Sequence, residues 1–219
     1  MSAELERELK QLRSALRTMA RETETRVQTA LEAWFAWDVE LARSIRVADS
    51  AIDQMELNIE NECLGILARH QPVASDLRFV MATLRINTSF ERIADLARSI
   101  AKRVIRLSER GPKVNPPPAA ESMGQAVCEM VKNVINSLEK QDVELARFVR
   151  RSDSFVDERN KELFDWALAQ IETDPENAGG YMTTVLMART LERIGDLAGN
   201  IAEDIMFVVG GSVVRHSPL

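Results

Sequence analysis

Residues Asp38–Asp53 read DVELARSIRVADSAID, and residues Asp142–Asp157 read DVELARFVRRSDSFVD. Ten of the sixteen positions agree, at an offset of 104. Further along, Glu91–Ala101 (ERIADLARSIA) matches Glu192–Ala202 (ERIGDLAGNIA) at eight of eleven positions, with the offset reduced to 101. The chain is therefore a duplication whose second copy is three residues shorter between the two blocks, a loss expected at a helix–helix turn. A repeat of about 100 residues is much longer than the roughly 20–50 of solenoid repeats, so each copy reads as a domain of its own.

Working outward, the segment behind the second block carries Ile86, Phe90, Ile93, Ala97, Ile100, Val104 and Leu107. The spacing alternates steps of four and three, which is the seam of a helical bundle. Similar patterns predict helices over Ala3–Ala36, a short piece capped by Asp38 and running to Arg46, then Ala48–Arg69 and Val73–Glu109. The break at His70-Gln71-Pro72 follows from proline, which disfavours helix in the residue before it. Gly111 to Pro118 reads GPKVNPPP, a stiff linker that no helix crosses. Beyond it, helices are expected over Ala119–Lys140, Ser154–Glu172 and Glu176–Val209, interrupted at Thr173-Asp174-Pro175. The fold class is all-α: two tandem, duplicated antiparallel three-helix bundles, over residues 1–110 and 119–219 with the linker at 111–118.

Composition agrees. Hydrophobic residues make up 45% of the 219 and charged residues 28%, a globular mix, with only nine glycines and seven prolines to break helices. The net charge is −6, and residues 1–110 balance at 17 acids and 17 bases, so the whole excess of acid lies in the second half. No basic field exists to displace counterions from a nucleic acid, and that class of partner is excluded. Cys63 and Cys128 sit inside apolar helical runs without metal-type spacing and read as free thiols of a reducing compartment. A charged N-terminus is unlike a signal peptide, and no apolar run approaches the roughly 20 residues of a membrane span. A cytosolic protein with no direct membrane insertion is expected.

Each copy holds two acidic pairs at i, i+4: Asp49/Asp53 with Glu91/Asp95, and Asp153/Asp157 with Glu192/Asp196. At 100° per residue Glu91 and Asp95 project away from the Ile93–Ile100 spine, onto the bundle surface. Like charges at this spacing destabilise a helix, by a few tenths of a kcal/mol. Four carboxylates gathered from two helices repel unless a cation neutralises them, and oxygen-only donor sets suit hard divalent or trivalent ions. Solvated, salt-bridged faces are the alternative reading. Recurrence of both pairs in both copies favours metal, with iron, zinc or manganese as the candidates.

The motifs Gln71–Arg78 (QPVASDLR), Phe90–Asp95 (FERIAD), Leu191–Asp196 (LERIGD) and the ending Gly211–His216 (GSVVRH) resemble the PhoU family of phosphate-signalling proteins over nearly the whole chain. The resemblance implies two three-helix bundles, a homodimer or higher oligomer, and multinuclear metal clusters on the bundle surfaces. It implies as partners the ATPase of a phosphate ABC transporter and a PhoR-type sensor histidine kinase, with phosphate-starvation genes repressed. The second copy has Gly195 and Asn200, which the family favours around its acids, where the first has Ala94 and Ser99. Small residues at 94 and 195 read as tight helix packing. Arg92, Ser99, Arg193 and Asn200 are candidates to support the acidic ligands from behind.

Other features carry less. His70 and His216 stand apart from the acids, and the Glu-x-x-His ligand pattern of di-iron bundle enzymes is missing from the sequence. Trp34, Phe35 and Trp37 are expected in core or inter-bundle packing. Arg78, Arg85 and Arg92, spaced by seven, are expected to pair with neighbouring acids. Gly179-Gly180 suggests a kink and Gly210-Gly211 a helix stop. The functional reading is a metal-binding signalling adaptor without an active site. A metal-dependent phosphohydrolase, or a metal-storage or scaffold protein, is the alternative.

Overall fold

A computed structural model describes residues 2–47, 49–111 and 114–210, the side chains of residues 46, 47, 49 and 110 excepted. Seven α-helices are seen among the described residues: α1 (Ala3–Ala36), α2 (Val39–Val47), α3 (Asp49–His70), α4 (Ala74–Arg110), α5 (Pro118–Lys140), α6 (Val143–Thr173) and α7 (Ala178–Gly210). A single 3-10 turn, Pro175–Asn177, precedes α7. No strand occurs among the described residues.

Both copies begin alike. Trp37 and Gln141, 104 residues apart, end α1 and α5 in the left-handed region, at φ 52° and 54°. The next residue in each case is an aspartate: Asp38 Oδ1 accepts from the Leu41 amide at 2.9 Å, and Asp142 Oδ1 from the Leu145 amide at 3.0 Å. The left-handed residue turns the chain back, and the carboxylate satisfies an amide that the new helix leaves open. This cap also corrects one boundary. The helix expected to start at Ser154 already starts at Val143, because Asp142 caps it and no glycine or proline interrupts residues 143–153. Asp142→Ala is expected to cost about 1 kcal/mol, read as a lower urea midpoint at unchanged slope; an unchanged midpoint would deny the cap any weight.

The interhelical turn is not where the second copy is shorter: the three-residue loss falls in the flanking helices, chiefly at the start of α7, and the turn itself is one residue longer. Copy one uses Gln71 to Val73, whereas copy two uses Asp174 and the 3-10 turn. Asp174 there accepts from Asn177 Nδ2 at 2.7 Å and from the Tyr181 hydroxyl at 2.8 Å. Gly179 and Gly180 fall in the first turn of α7, so they open the helix and do not kink it. Gly210 ends α7 as expected, while Gly211 to His216 lies outside the described residues.

Helices α1 to α4 form one bundle and α5 to α7 the other, with α2 and α3 together standing where α6 stands in the second copy. Between bundles, α4 packs on α7 and α1 on α5, each helix against its own counterpart. That pairing is what a two-fold axis between the copies produces. One apolar core runs through both, from Leu5 in α1 to Met206 in α7, and includes the spine Ile86, Phe90, Ile93, Ala97, Ile100 and Val104. Leu107, the last spine residue, is half-buried. The aromatic cluster serves this packing: Trp34 is fully buried and stacks on Phe35 with centroids 5.0 Å apart. A Cβ at Gly124 of α5 would stand 3.1 Å from the Phe35 ring, so the glycine lets α1 and α5 approach.

Polar ties cross the same interfaces. Arg21 of α1 donates to Glu139 of α5 at 2.8 Å, and Arg85 of α4 pairs with the buried Asp204 of α7 at 2.7 Å. Cys63 and Cys128 are free, and burial pushes their thiols up to about 12 and about 11, which keeps both in the unreactive protonated form. No helix among the described residues is long and apolar enough to cross a membrane.

Candidate metal centres

In the second copy the acids arise from the heptad geometry of α6 and α7. Leu191, Ile194, Ala198 and Ile201 are buried in the core, while Glu192 is half-buried and Asp196 exposed. Asp153 and Asp157 flank the buried Val156 of α6 and meet them. Mutual electrostatics establish the gathering. The Asp153 carboxyl is driven to about 6, first by burial, then by Asp196, Asp157 and Glu192, against the opposing pull of Arg150. Glu192 is raised by burial, Asp196 and Asp157, and Asp196 by burial and Asp157, with Arg193 opposing in both cases. Asp153 Oδ1 is buried and has no hydrogen-bond partner. It lies against the α7 backbone, 3.6 Å from where a Cβ on Gly195 would sit. That is ordinary contact distance, consistent with the alanine, Ala94, that copy one carries there.

In the first copy, burial raises Glu91, and Asp95, Glu56 and Asp53 add to it against Arg92. Glu56 is raised in turn by burial, Glu60, Asp53 and Asp95. Glu56 is thus a member that the sequence reading missed. Its counterpart at offset 104 is Asn160, so the duplication gave no signal, although its place three residues after Asp53 on the same helix was visible. The Asp49 side chain lies outside the described residues. Asp95 accepts from Arg98 at 2.6 Å, a partner that copy two replaces by Gly199. The second set is therefore the barer of the two.

The supporting residues divide. Arg92, Asp95, Arg193, Asp196 and Asn200 line a cleft of about 610 Å3 between α4 and α7, where the acidic helices of the two copies meet. Ser99 is engaged by Arg103: its Oγ accepts from Arg103 Nη1 at 2.6 Å, and Arg103 reaches on to Thr190 of α7 at 3.5 Å. Of the arginines spaced by seven, Arg92 faces the acids and Arg85 pairs with Asp204, but Arg78 Nε is buried without a partner. His70 contacts Glu8 at 3.2 Å, remote from either set, and His216 lies outside the described residues.

Among the described residues no three His, Cys, Asp or Glu side chains close into a ready-made metal cage. The donor chemistry of the second set nevertheless fits a hard cation: every donor is a carboxylate oxygen, and one buried oxygen lacks a partner.

Two tandem three-helix bundles related by an internal repeat, each presenting a Glu-Arg-Ile-x-Asp acidic face, define a duplicated helical class. The PhoU domain family model matches the chain twice, over residues 16–104 and 120–205. The chain belongs to the PhoU family. It is 35% identical over 219 residues to the phosphate-specific transport system accessory protein PhoU homolog of Pseudomonas putida, spanning all of this chain and 86% of that one. The crystal structure of PhoU from Pseudomonas aeruginosa superposes with a TM-score of 0.91 at 35% identity, over 94% of this chain and 99% of that one. The phosphate transport system regulatory protein PhoU from Streptococcus pneumoniae superposes with a TM-score of 0.88 at 25% identity, over 96% and 99%.

Proposed function

We propose that this protein is an accessory regulator of phosphate-specific transport: a cytosolic adaptor that binds metal ions and protein partners and has no active site of its own. The observation that supports it best is the doubled acidic face on a chain matched end to end by proteins of that name. In this reading Asp153, Asp157, Glu192 and Asp196 hold a metal ion, iron, zinc or manganese, with Asp53, Glu56, Glu91 and Asp95 as a second centre that Arg98 already partly neutralises. The ion would supply a positive charge that links α6 to α7, and the residues' own part is to supply oxygens held half out of water. The partners are the transporter's ATPase subunit and a PhoR-type sensor histidine kinase, and the effect is negative regulation of the starvation response. Exposed apolar residues on the α3–α4 and α6–α7 hairpins, such as Leu64, Met81, Leu168 and Met182, favour further association, a homodimer included. A phosphohydrolase is disfavoured because, among the described residues, no histidine stands beside the acids to act as general acid or base.

The experiment is capture of the ATPase subunit and of the kinase by the full chain, with chelator, with metal restored, and with Asp157→Asn/Asp196→Asn. Capture that weakens with chelator and in the double variant is expected. Failure to capture either partner under any condition removes the adaptor reading, and capture indifferent to metal separates the metal from the signalling.

A further inference from the structure

The duplication gives each residue of α4 a counterpart in α7 101 positions later, so the α4–α7 interface presents the same pair of positions twice, once at each end. At one end Arg85 pairs with Asp204 at 2.7 Å and lies over the Phe207 ring at 5.3 Å. At the other end the counterparts are Leu186, Arg103 and Arg106. The arginine has become leucine, the aspartate arginine, and the phenylalanine a second arginine. What was a self-satisfied pair is here a cleft of about 400 Å3, lined by Arg103, Arg106, Leu107, Thr183 and Leu186 without an acid.

Arg103 is fixed from behind, its Nη1 donating to Ser99 Oγ at 2.6 Å and reaching Thr190 Oγ1 at 3.5 Å. Among the described residues no carboxylate pairs with it or with Arg106. Burial alone lowers its pKa, with no acid to offset it. A half-buried guanidinium without a counter-charge is costly, and the cost is recovered when an anion arrives. Arg103 and Arg106 stand at i, i+3 on one face of α4, so two planar donor forks serve one ligand. The first turn of α7 adds the positive end of a helix. More than one unit of positive charge favours a dianion over a single carboxylate.

We propose that this cleft binds a phosphoryl oxyanion, held by Arg103 and Arg106 and walled by Leu107 and Leu186. The source is either inorganic phosphate or the phosphate of an ester whose apolar body lies on the leucines. The acidic sets take no part, so failure here leaves the regulatory reading standing.

The test uses the full chain after chelator treatment, so that no metal binds the anion, with inorganic phosphate and AMP as probes in calorimetry and 31P line broadening. Saturable binding is expected. It should weaken at least about tenfold in Arg106→Gln, as loss of a charge-assisted contact requires. It should also weaken in Arg103→Asp/Leu186→Arg, which rebuilds the pair seen at Arg85 and Asp204, with helicity retained. Arg17→Gln, on α1 in a separate cleft between α1 and α5 that it lines with Lys10, Arg13, Glu139 and Lys140, should leave it unchanged. AMP tighter than phosphate assigns the ester, and equal affinity assigns the free ion; either supports the site. No saturable binding of either probe at millimolar concentration, binding that survives both variants, or equal loss in Arg17→Gln overturns it.

Discussion

Adding manganese or ferrous iron to chelator-treated protein is expected to stabilise it by about 2.7 kcal/mol at a hundredfold excess over the dissociation constant. Asp157→Asn/Asp196→Asn should abolish the gain and lower the bound metal while leaving helicity intact. The reason lies in Asp153, whose carboxyl stands at about 6 through burial and the charges of Asp196, Asp157 and Glu192. The folded state holds that proton more tightly than the unfolded chain, where an aspartate titrates near ~3.9. Its contribution to stability is therefore present below about pH 4 and is lost as pH rises through about 6. Without metal, Asp153→Asn should accordingly be the more stable protein at pH 7, by on the order of 1–2 kcal/mol after allowing for solvent screening. A bound cation does above pH 6 what the proton does below it. Thermal melts and elemental analysis decide: equal metal content and equal melts for wild type and double variant would make these acids a solvated face.

Phe90→Ala is expected to cost about 3–5 kcal/mol, the largest effect of any single change considered. Phe90 is fully buried in the α4 spine, and its counterpart in α7 is the equally buried Leu191. Because leucine fills the equivalent site, Phe90→Leu should lose much less, about 1 kcal/mol. One core cluster runs through both bundles, so the loss should appear as a shift of the whole urea transition. A change under about 1 kcal/mol for the alanine variant would mean that the surrounding spine collapses to fill the space.

The helices were readable because their seam residues repeat every three or four positions and their ends carry strong signals, such as Pro72, Pro175 and the Asp38 cap. The second copy's early start at Val143 was equally legible from Asp142, which repeats Asp38. Surface acids were found because duplication repeated them. Glu56 was missed because its counterpart is Asn160, and a criterion built on repetition rejects whatever one copy holds alone. The bond Ser99 makes was not legible for a related reason: sequence places it one turn from Asp95, but its partner Arg103 is another turn onward and reaches α7. Contacts between α4 and α7 have no local signature. Only the pairing of counterpart helices reveals that Arg85 meets Asp204 or that Arg103 meets no acid.

The linker from Gly111 to Pro117 makes the pairing of counterpart helices a matter of tether and not of dilution. Two separate chains meeting over α1–α5 and α4–α7 would dissociate as their concentration fell, and each substitution would strike both sides at once. A short covalent connection sets a local concentration on the order of millimolar regardless of how little protein a cell holds. It also frees each half to change alone. A lone Arg103 is tolerable only because its mate position can keep Asp204, so the fused pair can hold one ion-paired end and one without an acid where a true homodimer would be obliged to make both the same.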